Sequence, residues 1–91
     1  MSAVIRLPSP LRASVGGATT VPIDAADLRA LPAAIADRYP DLAARVVRDG
    51  AFGRFITVFV DGEDARFLPA ETDLTNARVV ELLPAVSGGA G

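Results

Sequence analysis

The carboxyl-terminal segment 84–91 holds the atoms of this chain that could take part in chemistry. It reads Pro-Ala-Val-Ser-Gly-Gly-Ala-Gly and directly follows the apolar, strand-like run 79–83. Glycine has no Cβ, so the backbone at Gly88 and Gly89 could pass through a channel too narrow for other residues. Fully extended, residues 85–91 would reach roughly 23 Å at about 3.3 Å per residue. The pattern predicts a thin tail that offers a glycine carboxyl group to another protein; the alternative is a frayed end without a role.

The remaining composition argues against catalysis by the chain alone. It has no Cys and no His, which removes thiol nucleophiles, thiolate metal sites, and the commonest general base and metal ligand. All nine basic residues are Arg, so no Gly-rich phosphate-binding loop followed by Lys is present. We therefore expect a protein that is not an enzyme, with no metal site, whose partners supply the catalytic groups.

Net charge and hydropathy limit the cellular location and the classes of partner that the chain could have. A net charge of −2 and a pI of about 4.8 argue against a nucleic-acid-binding surface. Residues 1–6 lack the basic start and the apolar run of about 7 to 15 residues of a signal peptide. No stretch approaches the roughly 18 apolar residues that span a bilayer. We expect a cytoplasmic protein that binds neither nucleic acid nor membrane.

Short runs of apolar and β-branched residues predict five strands. Pro8 and Pro10 end the first strand, and a glycine pair at 16–17 marks a turn before the second, which suggests a hairpin. Asp61-Gly62 is a hairpin-type turn signal after the strongest strand. The predicted strands span residues 4–7, 19–23, 54–60, 65–68 and 79–83.

Between the second and third strands the hydrophobic period changes to that of a helix. The residues on its apolar face are Leu28, Leu31, Ile35 and Tyr39. Asp27 is a candidate N-cap, whereas Pro32 conflicts with a regular first turn, so the helix is expected to become regular near Pro32. Pro40 should end it, and residues 42–47 could add a further helical turn.

The predicted order is β-β-α-β-β-β, an α+β arrangement with a mixed sheet of four to five strands packed on one helix. The last strand is apolar on its buried side and needs neighbours on both edges, so it should lie centrally. This is the ubiquitin-like β-grasp arrangement. Residues 1–84 form the domain and residues 85–91 the tail.

Strand alternation predicts which side chains are available to a partner. In the last strand Val80 and Leu82 should point into the core, with Leu83 pointing outward beside Glu81. In the third strand Ile56, Val58 and Val60 should pack on the helix. An exposed apolar patch at the root of the tail would then be available to a partner, unless loops cover it or its members are isolated on the surface. The predicted partner-binding residues are Phe55, Phe59, Leu83, Pro84 and Val86.

Two segments resemble a known family. One is Val-Glu-Leu-Leu-Pro-Ala-Val-Ser-Gly-Gly at 80–89, and the other is Arg-Phe-Ile-Thr-Val-Phe-Val-Asp-Gly-Glu-Asp-Ala-Arg-Phe at 54–67. They are similar to the MoaD/ThiS-like sulfur carriers, the β-grasp proteins typified by the molybdopterin-synthase small subunit and the thiamine sulfur carrier. The second segment is similar to the branch that delivers sulfur for cysteine biosynthesis. The resemblance covers nearly the whole chain and is specific over residues 54–89.

The resemblance implies a chemistry for Gly89. In this family an E1-like enzyme uses ATP to adenylate the terminal glycine, and sulfide or persulfide then displaces AMP to leave a thiocarboxylate. The implied partners are that enzyme, a cysteine-synthase-like sulfur acceptor and a JAMM-type metalloprotease that removes Ala90 and Gly91. ATP would be used by the activating partner, and no cofactor would be bound by this chain.

Other functions remain compatible with the sequence. The chain could be a ubiquitin-like modifier that is conjugated to other proteins through its terminal glycine. It could also be a molybdopterin-synthase small subunit, or a β-grasp interaction module whose tail is inert. The tail could further work as encoded, through Gly91, without removal of any residue.

Overall fold

The structure, a computed structural model, describes residues 3–76 and 78–84. In chain order the helices and strands of these residues are β1 (Ala3–Arg6), α1 (Ser9–Arg12), β2 (Thr20–Ile23), α2 (Leu31–Arg38), α3 (Pro40–Val46), β3 (Val47–Arg48), β4 (Ala51–Phe52), β5 (Ile56–Val60), β6 (Glu63–Asp64) and β7 (Val79–Pro84). Short 3₁₀ turns occupy Ala13–Val15 and Ala65–Phe67.

A mixed five-stranded sheet has the order β2-β1-β7-β5-β6. Strand β7 lies in the middle, parallel to β1 and antiparallel to β5, and the two outer pairs are antiparallel. The prediction of a central last strand is therefore confirmed, as is the ubiquitin-like β-grasp fold. The physical reason is the apolar content of β7, since Val80 and Leu82 are fully buried.

The helical layer consists of two consecutive helices that meet at Tyr39. Pro32 stands in the first turn of α2, where proline removes no helical hydrogen bond, and the Asp27 carboxylate accepts from the Ala30 amide at 2.9 Å in the turn before it. The regular helix thus begins at the position expected from Pro32. Pro40 ends α2 and also starts α3, which is the further helical turn that the sequence suggested.

One hydrophobic core joins the sheet to the two helices. The N-terminal strands, both helices and the central strands all contribute fully buried side chains, and the described residues include no buried polar or charged side chain. The largest of these core side chains are Ile5, Leu7, Ile23, Leu31, Ile35, Leu42, Leu74, Leu82, Val46, Val60 and Val80. Leu74 shows that the connection before β7, although irregular, is anchored in the core.

Two local predictions were wrong. The return strand expected at 65–68 is β6, two residues earlier, because Asp61 and Gly62 form a two-residue turn with φ of 50° and 87° and pairing resumes at once. Asp64 then accepts from the Arg66 amide at 2.9 Å and starts a 3₁₀ turn.

The third predicted strand, which is β5 in the structure, was expected to begin at residue 54 but begins at Ile56. A turn precedes it, in which the Ile56 amide donates to the Gly53 carbonyl. Pro8 and Pro10 end β1 as expected, yet they also open the short helix α1, in which Pro10 occupies the first turn. The sequence analysis did not predict this helix. It also did not predict the small hairpin formed by β3 and β4, which turns at Asp49 and Gly50.

Candidate functional site at the end of the central strand

The end of β7 leads toward the Gly-Gly segment and is held by strand pairing on β5. Pro84 lies opposite Ile56, and Leu83 lies opposite Thr57. This pairing fixes the position of the last described residues of β7. The predicted residues Val86, Gly88, Gly89, Ala90 and Gly91 lie outside the described part of the chain.

The sheet face opposite the helices carries two of the predicted partner-binding residues. Phe59 lies opposite Glu81, two positions from the pair formed by Thr57 and Leu83, so Phe59 and Leu83 share this face as diagonal neighbours. Leu83 is 39% exposed and Phe59 is half-buried. We call Phe59 and Leu83 the outer-face pair. The predicted alternation of β5 and β7 is confirmed, because Val58 and Leu82 are buried on the helix side.

Phe55 lies outside the sheet, unlike the two residues of the outer-face pair. It lies in the turn immediately before β5 and is 65% exposed. The guanidinium carbon of Arg54 stands 5.5 Å from the centre of its ring, within the range of a cation–π contact. Phe55 also lines a cavity formed with the β3–β4 hairpin. Phe55 is therefore exposed near the root of the tail, as predicted, but it does not continue the strand that carries Phe59.

That cavity, of about 450 Å³, has three arginines on its wall. Arg45 comes from the last turn of α3, Arg48 from β3 and Arg54 from the turn before β5. We call this feature the basic cleft. Sequence analysis missed it because the three arginines are spread over ten positions and belong to three different elements, a helix, a hairpin strand and a turn. The signal available was only the local excess of Arg over acidic residues between 45 and 54.

The start of β7 is fixed by Asp61. Its carboxylate accepts from the Val79 amide and from the Arg78 guanidinium, each at 2.9 Å. The hydrogen bond from Val79, followed by that from Arg78, lowers the pKa of Asp61 below its ordinary value of 3.8. Asp61 has a left-handed φ of 50°, a conformation that Asp tolerates better than most residues. The turn between β5 and β6 thus also locks the register of the strand that leads to the tail.

Two further exposed apolar side chains were not among the predicted partner-binding residues. Val4, 38% exposed, lies on the outer sheet face beside β7, and the alternation of β1 could have identified it. Phe67 is 83% exposed in a 3₁₀ turn, where the Arg66 guanidinium carbon stands 5.8 Å from its ring centre. Arg66 is also paired with Asp64 at 2.7 Å.

The described residues offer little acid–base or metal chemistry. Residues 3–76 and 78–84 contain no group of three His, Cys, Asp or Glu side chains that could hold a metal ion. Within the same residues no helix is long and apolar enough to cross a membrane. What the arrangement provides is a firmly held strand end with an apolar face on one side and a basic cleft on the other.

A protein-family comparison matches most of the chain. The model described as "ThiS family" matches residues 5–89. The match therefore covers the β-grasp domain and extends through the Gly-Gly pair.

Individual relatives agree with this match. The chain is 29% identical to the sulfur carrier protein CysO of Mycobacterium tuberculosis, over 98% of this chain and 100% of that protein. Among solved structures, it is similar to one from the Amycolatopsis orientalis BexX/CysO complex, with a TM-score of 0.79, 31% identity, and coverage of 96% of this chain and 99% of that one. It is also similar to SAMP1 from Haloferax volcanii, with a TM-score of 0.78, 28% identity, and coverage of 98% and 100%.

Proposed function

The chain belongs to the ThiS family, and from this membership we propose that it is a sulfur carrier protein whose reactive group is the carboxyl of Gly89. The observation that carries the proposal is the family match through Gly89, on a fold whose central strand β7 is followed in sequence by the Gly-Gly segment. The similarity to the sulfur carrier protein CysO over the full length of both chains supports the same function.

The proposed reaction has two steps, both carried out in the active site of an E1-like partner. A carboxylate oxygen of Gly89 attacks the α-phosphorus of ATP and releases pyrophosphate, which leaves an acyl-adenylate. Hydrosulfide then attacks the carbonyl carbon, and the C–O bond to AMP breaks. The products are AMP and a thiocarboxylate, and no atom changes oxidation state. Activation is needed because a free carboxylate is a poor electrophile.

This chain contributes recognition and access. The outer-face pair of Phe59 and Leu83 gives the partner an apolar surface, and the glycines give the tail a small cross-section. Ala90 and Gly91 follow the reactive glycine, so we propose that a JAMM-type metalloprotease removes them first. The sulfur acceptor is proposed to be a cysteine-synthase-like enzyme, because the relative named CysO is similar over the whole chain. ATP is bound by the activating enzyme and no cofactor by this chain.

The test uses intact-protein mass spectrometry of the chain ending at Gly89, incubated with the E1-like enzyme of the same organism, ATP and sulfide. The expected product carries one sulfur in place of one terminal oxygen. The matched controls are the full-length chain, which should remain unmodified without the protease, and the Gly89→Ala variant of the shortened chain, which should react far more slowly. Modification of the full-length chain at Gly91 would contradict the trimming step. No modification of the shortened chain would contradict the carrier function.

A second candidate function is supported by the similarity to SAMP1, which is named a small archaeal modifier protein in the related Methanosarcina acetivorans structure. In this function the activated glycine is transferred to a lysine of another protein. The chain contains no Lys, so chains of this protein linked through lysine could not form. Recovery of its terminal peptide attached to lysines of other proteins would favour this function over sulfur transfer. A molybdopterin-synthase small subunit remains a further alternative, distinguished by its sulfur acceptor.

A further inference from the structure

We propose that the basic cleft binds an acidic segment of the activating enzyme, a segment that also carries one apolar side chain. This inference rests on the proposed function, because it specifies the chemistry of the partner that this function requires. It concerns the helix side of the molecule, whereas the outer-face pair lies on the opposite face of the sheet.

The first argument is charge. Arg45, Arg48 and Arg54 are all exposed, and none of them takes part in an ion pair within the part of the chain that the structure describes. The nearest acidic residues in sequence, Asp41 and Asp49, do not line the cleft. Three arginines and no acidic residue line this one concavity, in a chain of net charge −2, and such a grouping of like charges favours a negatively charged ligand. A ligand with carboxylates would complement these charges and would pair with planar guanidinium groups in a favourable geometry.

The second argument is the shape and polarity of the cleft. Its volume of about 450 Å³ is enough to receive a side chain, and most of the wall between the arginines is apolar. Arg54 and Phe55 both line the cleft, and the Arg54 guanidinium carbon stands 5.5 Å from the Phe55 ring centre. An apolar lining that also contains arginines fits a peptide that has one aromatic or branched side chain between acidic residues. The apolar lining residues are Val46, Val47, Phe52, Phe55 and Ile56.

The third argument is position. Ile56 lines the basic cleft and pairs with Pro84, the last residue of β7. A partner held in the cleft therefore lies beside the end of β7, and in sequence Gly89 follows Pro84 by five residues. A partner that binds both the cleft and the outer-face pair would contact the end of β7 from both faces of the sheet. It would also align the tail with the partner's active site, because the strand end itself is fixed by pairing.

The decisive test is an NMR titration of the ¹⁵N-labelled full-length chain with a blocked peptide of sequence Glu-Asp-Phe-Glu-Asp. Backbone amide shifts should change at the cleft, including those of Val47, Phe52 and Phe55. The Arg48→Glu variant should bind roughly fivefold more weakly, since an attraction becomes a repulsion, and Arg48→Lys should retain most of the binding. Arg38→Glu is the matched control, as Arg38 is an exposed arginine outside the cleft.

Three outcomes would overturn the proposal. The first is equal binding of the uncharged peptide Gln-Asn-Phe-Gln-Asn. The second is an equal loss of peptide binding in Arg38→Glu and Arg48→Glu. The third is tighter binding of a short oligothymidylate than of the acidic peptide, which would make the cleft a nucleic-acid site.

A second measurement separates this inference from the proposed function. In ATP–pyrophosphate exchange by the E1-like enzyme, Arg48→Glu in the chain ending at Gly89 should raise the half-saturating carrier concentration roughly fivefold and leave the maximal rate unchanged. An unchanged half-saturating concentration contradicts the docking of this enzyme at the cleft, even though exchange itself supports the carrier function. Absence of exchange with the unaltered chain contradicts the carrier function, and the peptide titration alone then decides whether the cleft binds acidic segments.

Discussion

Asp61 and Val79 are joined by two hydrogen bonds that run in opposite directions. The Asp61 amide donates to the Val79 carbonyl at 2.8 Å, and the Val79 amide donates to the Asp61 carboxylate at 2.9 Å. The residues are 18 positions apart, one in the turn after β5 and the other at the first position of β7. This reciprocal contact sets the register of β7 at its beginning, and the register in turn determines where the strand ends at Pro84.

Asp61→Ala should destabilise the protein by about 2 kcal/mol. It removes the acceptor of the Val79 amide at about 1 kcal/mol and places a residue with a Cβ but no polar side chain in the left-handed region at a similar cost. Asp61→Asn is the matched control, because Asn tolerates this conformation and keeps an acceptor oxygen. Urea denaturation should give at most half the loss for Asn. Equal losses would show that the charge, and not the turn geometry, is what matters.

The neighbouring residues Leu82 and Leu83 should respond very differently to truncation. Leu82 is fully buried in the central strand, so Leu82→Ala should cost about 3 kcal/mol of unfolding free energy. Leu83 is 39% exposed on the opposite face, and Leu83→Ala should cost less than about 1 kcal/mol. Thermal unfolding of the two variants compares them directly. A reversed order would mean that the faces of β7 are exchanged.

Phe59→Arg should weaken binding to the activating enzyme while the protein remains folded. Phe59 lies on the outer face opposite Glu81, so an arginine there gains a cross-strand partner, whereas an aspartate would face a like charge. The expected change in the midpoint of thermal unfolding is small, and the dissociation constant should rise at least about tenfold if Phe59 is a central contact. The measurement is isothermal titration calorimetry. Unchanged affinity would remove the outer-face pair from the proposed interface.

Stability should fall in acid and stay level near neutrality. The pKa of Asp61 is lowered by hydrogen bonds from Val79 and Arg78, that of Asp64 by Arg66, and that of Asp73 chiefly by the side chain and backbone of Thr75. The unfolded chain binds protons near the ordinary value of 3.8 while the folded chain does not, so this stabilisation is present above that pH. It is lost as the pH falls through the lower, folded values.

The thermal midpoint should therefore decline below about pH 4 and change little between about pH 5 and 8, because the chain has no His to titrate there. Differential scanning calorimetry over this range checks both expectations. Asp61→Asn should show a shallower acid decline, as one of the three carboxylates is missing. A steep change near pH 6 would contradict this account.

The elements that could be predicted are those whose signals are local. The proline positions predicted the start of α2 and the break before α3, and the residue pair Asp61-Gly62 predicted a hairpin turn. The hairpin of β3 and β4 was missed because two-residue strands carry no alternation pattern. The return strand was misplaced because Ala65–Phe67 form a 3₁₀ turn and not a strand, which leaves Phe67 exposed.

The class of fold and the apolar content of β7 follow from the amino-acid sequence, because hydrophobic period and turn residues act over a few neighbouring positions. The Gly-Gly segment and the absence of Cys and His also predicted a terminal glycine carboxyl as the reactive group, and this stays a prediction. The folded chain was needed to show that Arg45, Arg48 and Arg54 line one cleft near Pro84, and that Asp61 holds the start of β7. These relations depend on how helices, hairpin and sheet pack on a shared core, and no local pattern in the chain encodes that packing.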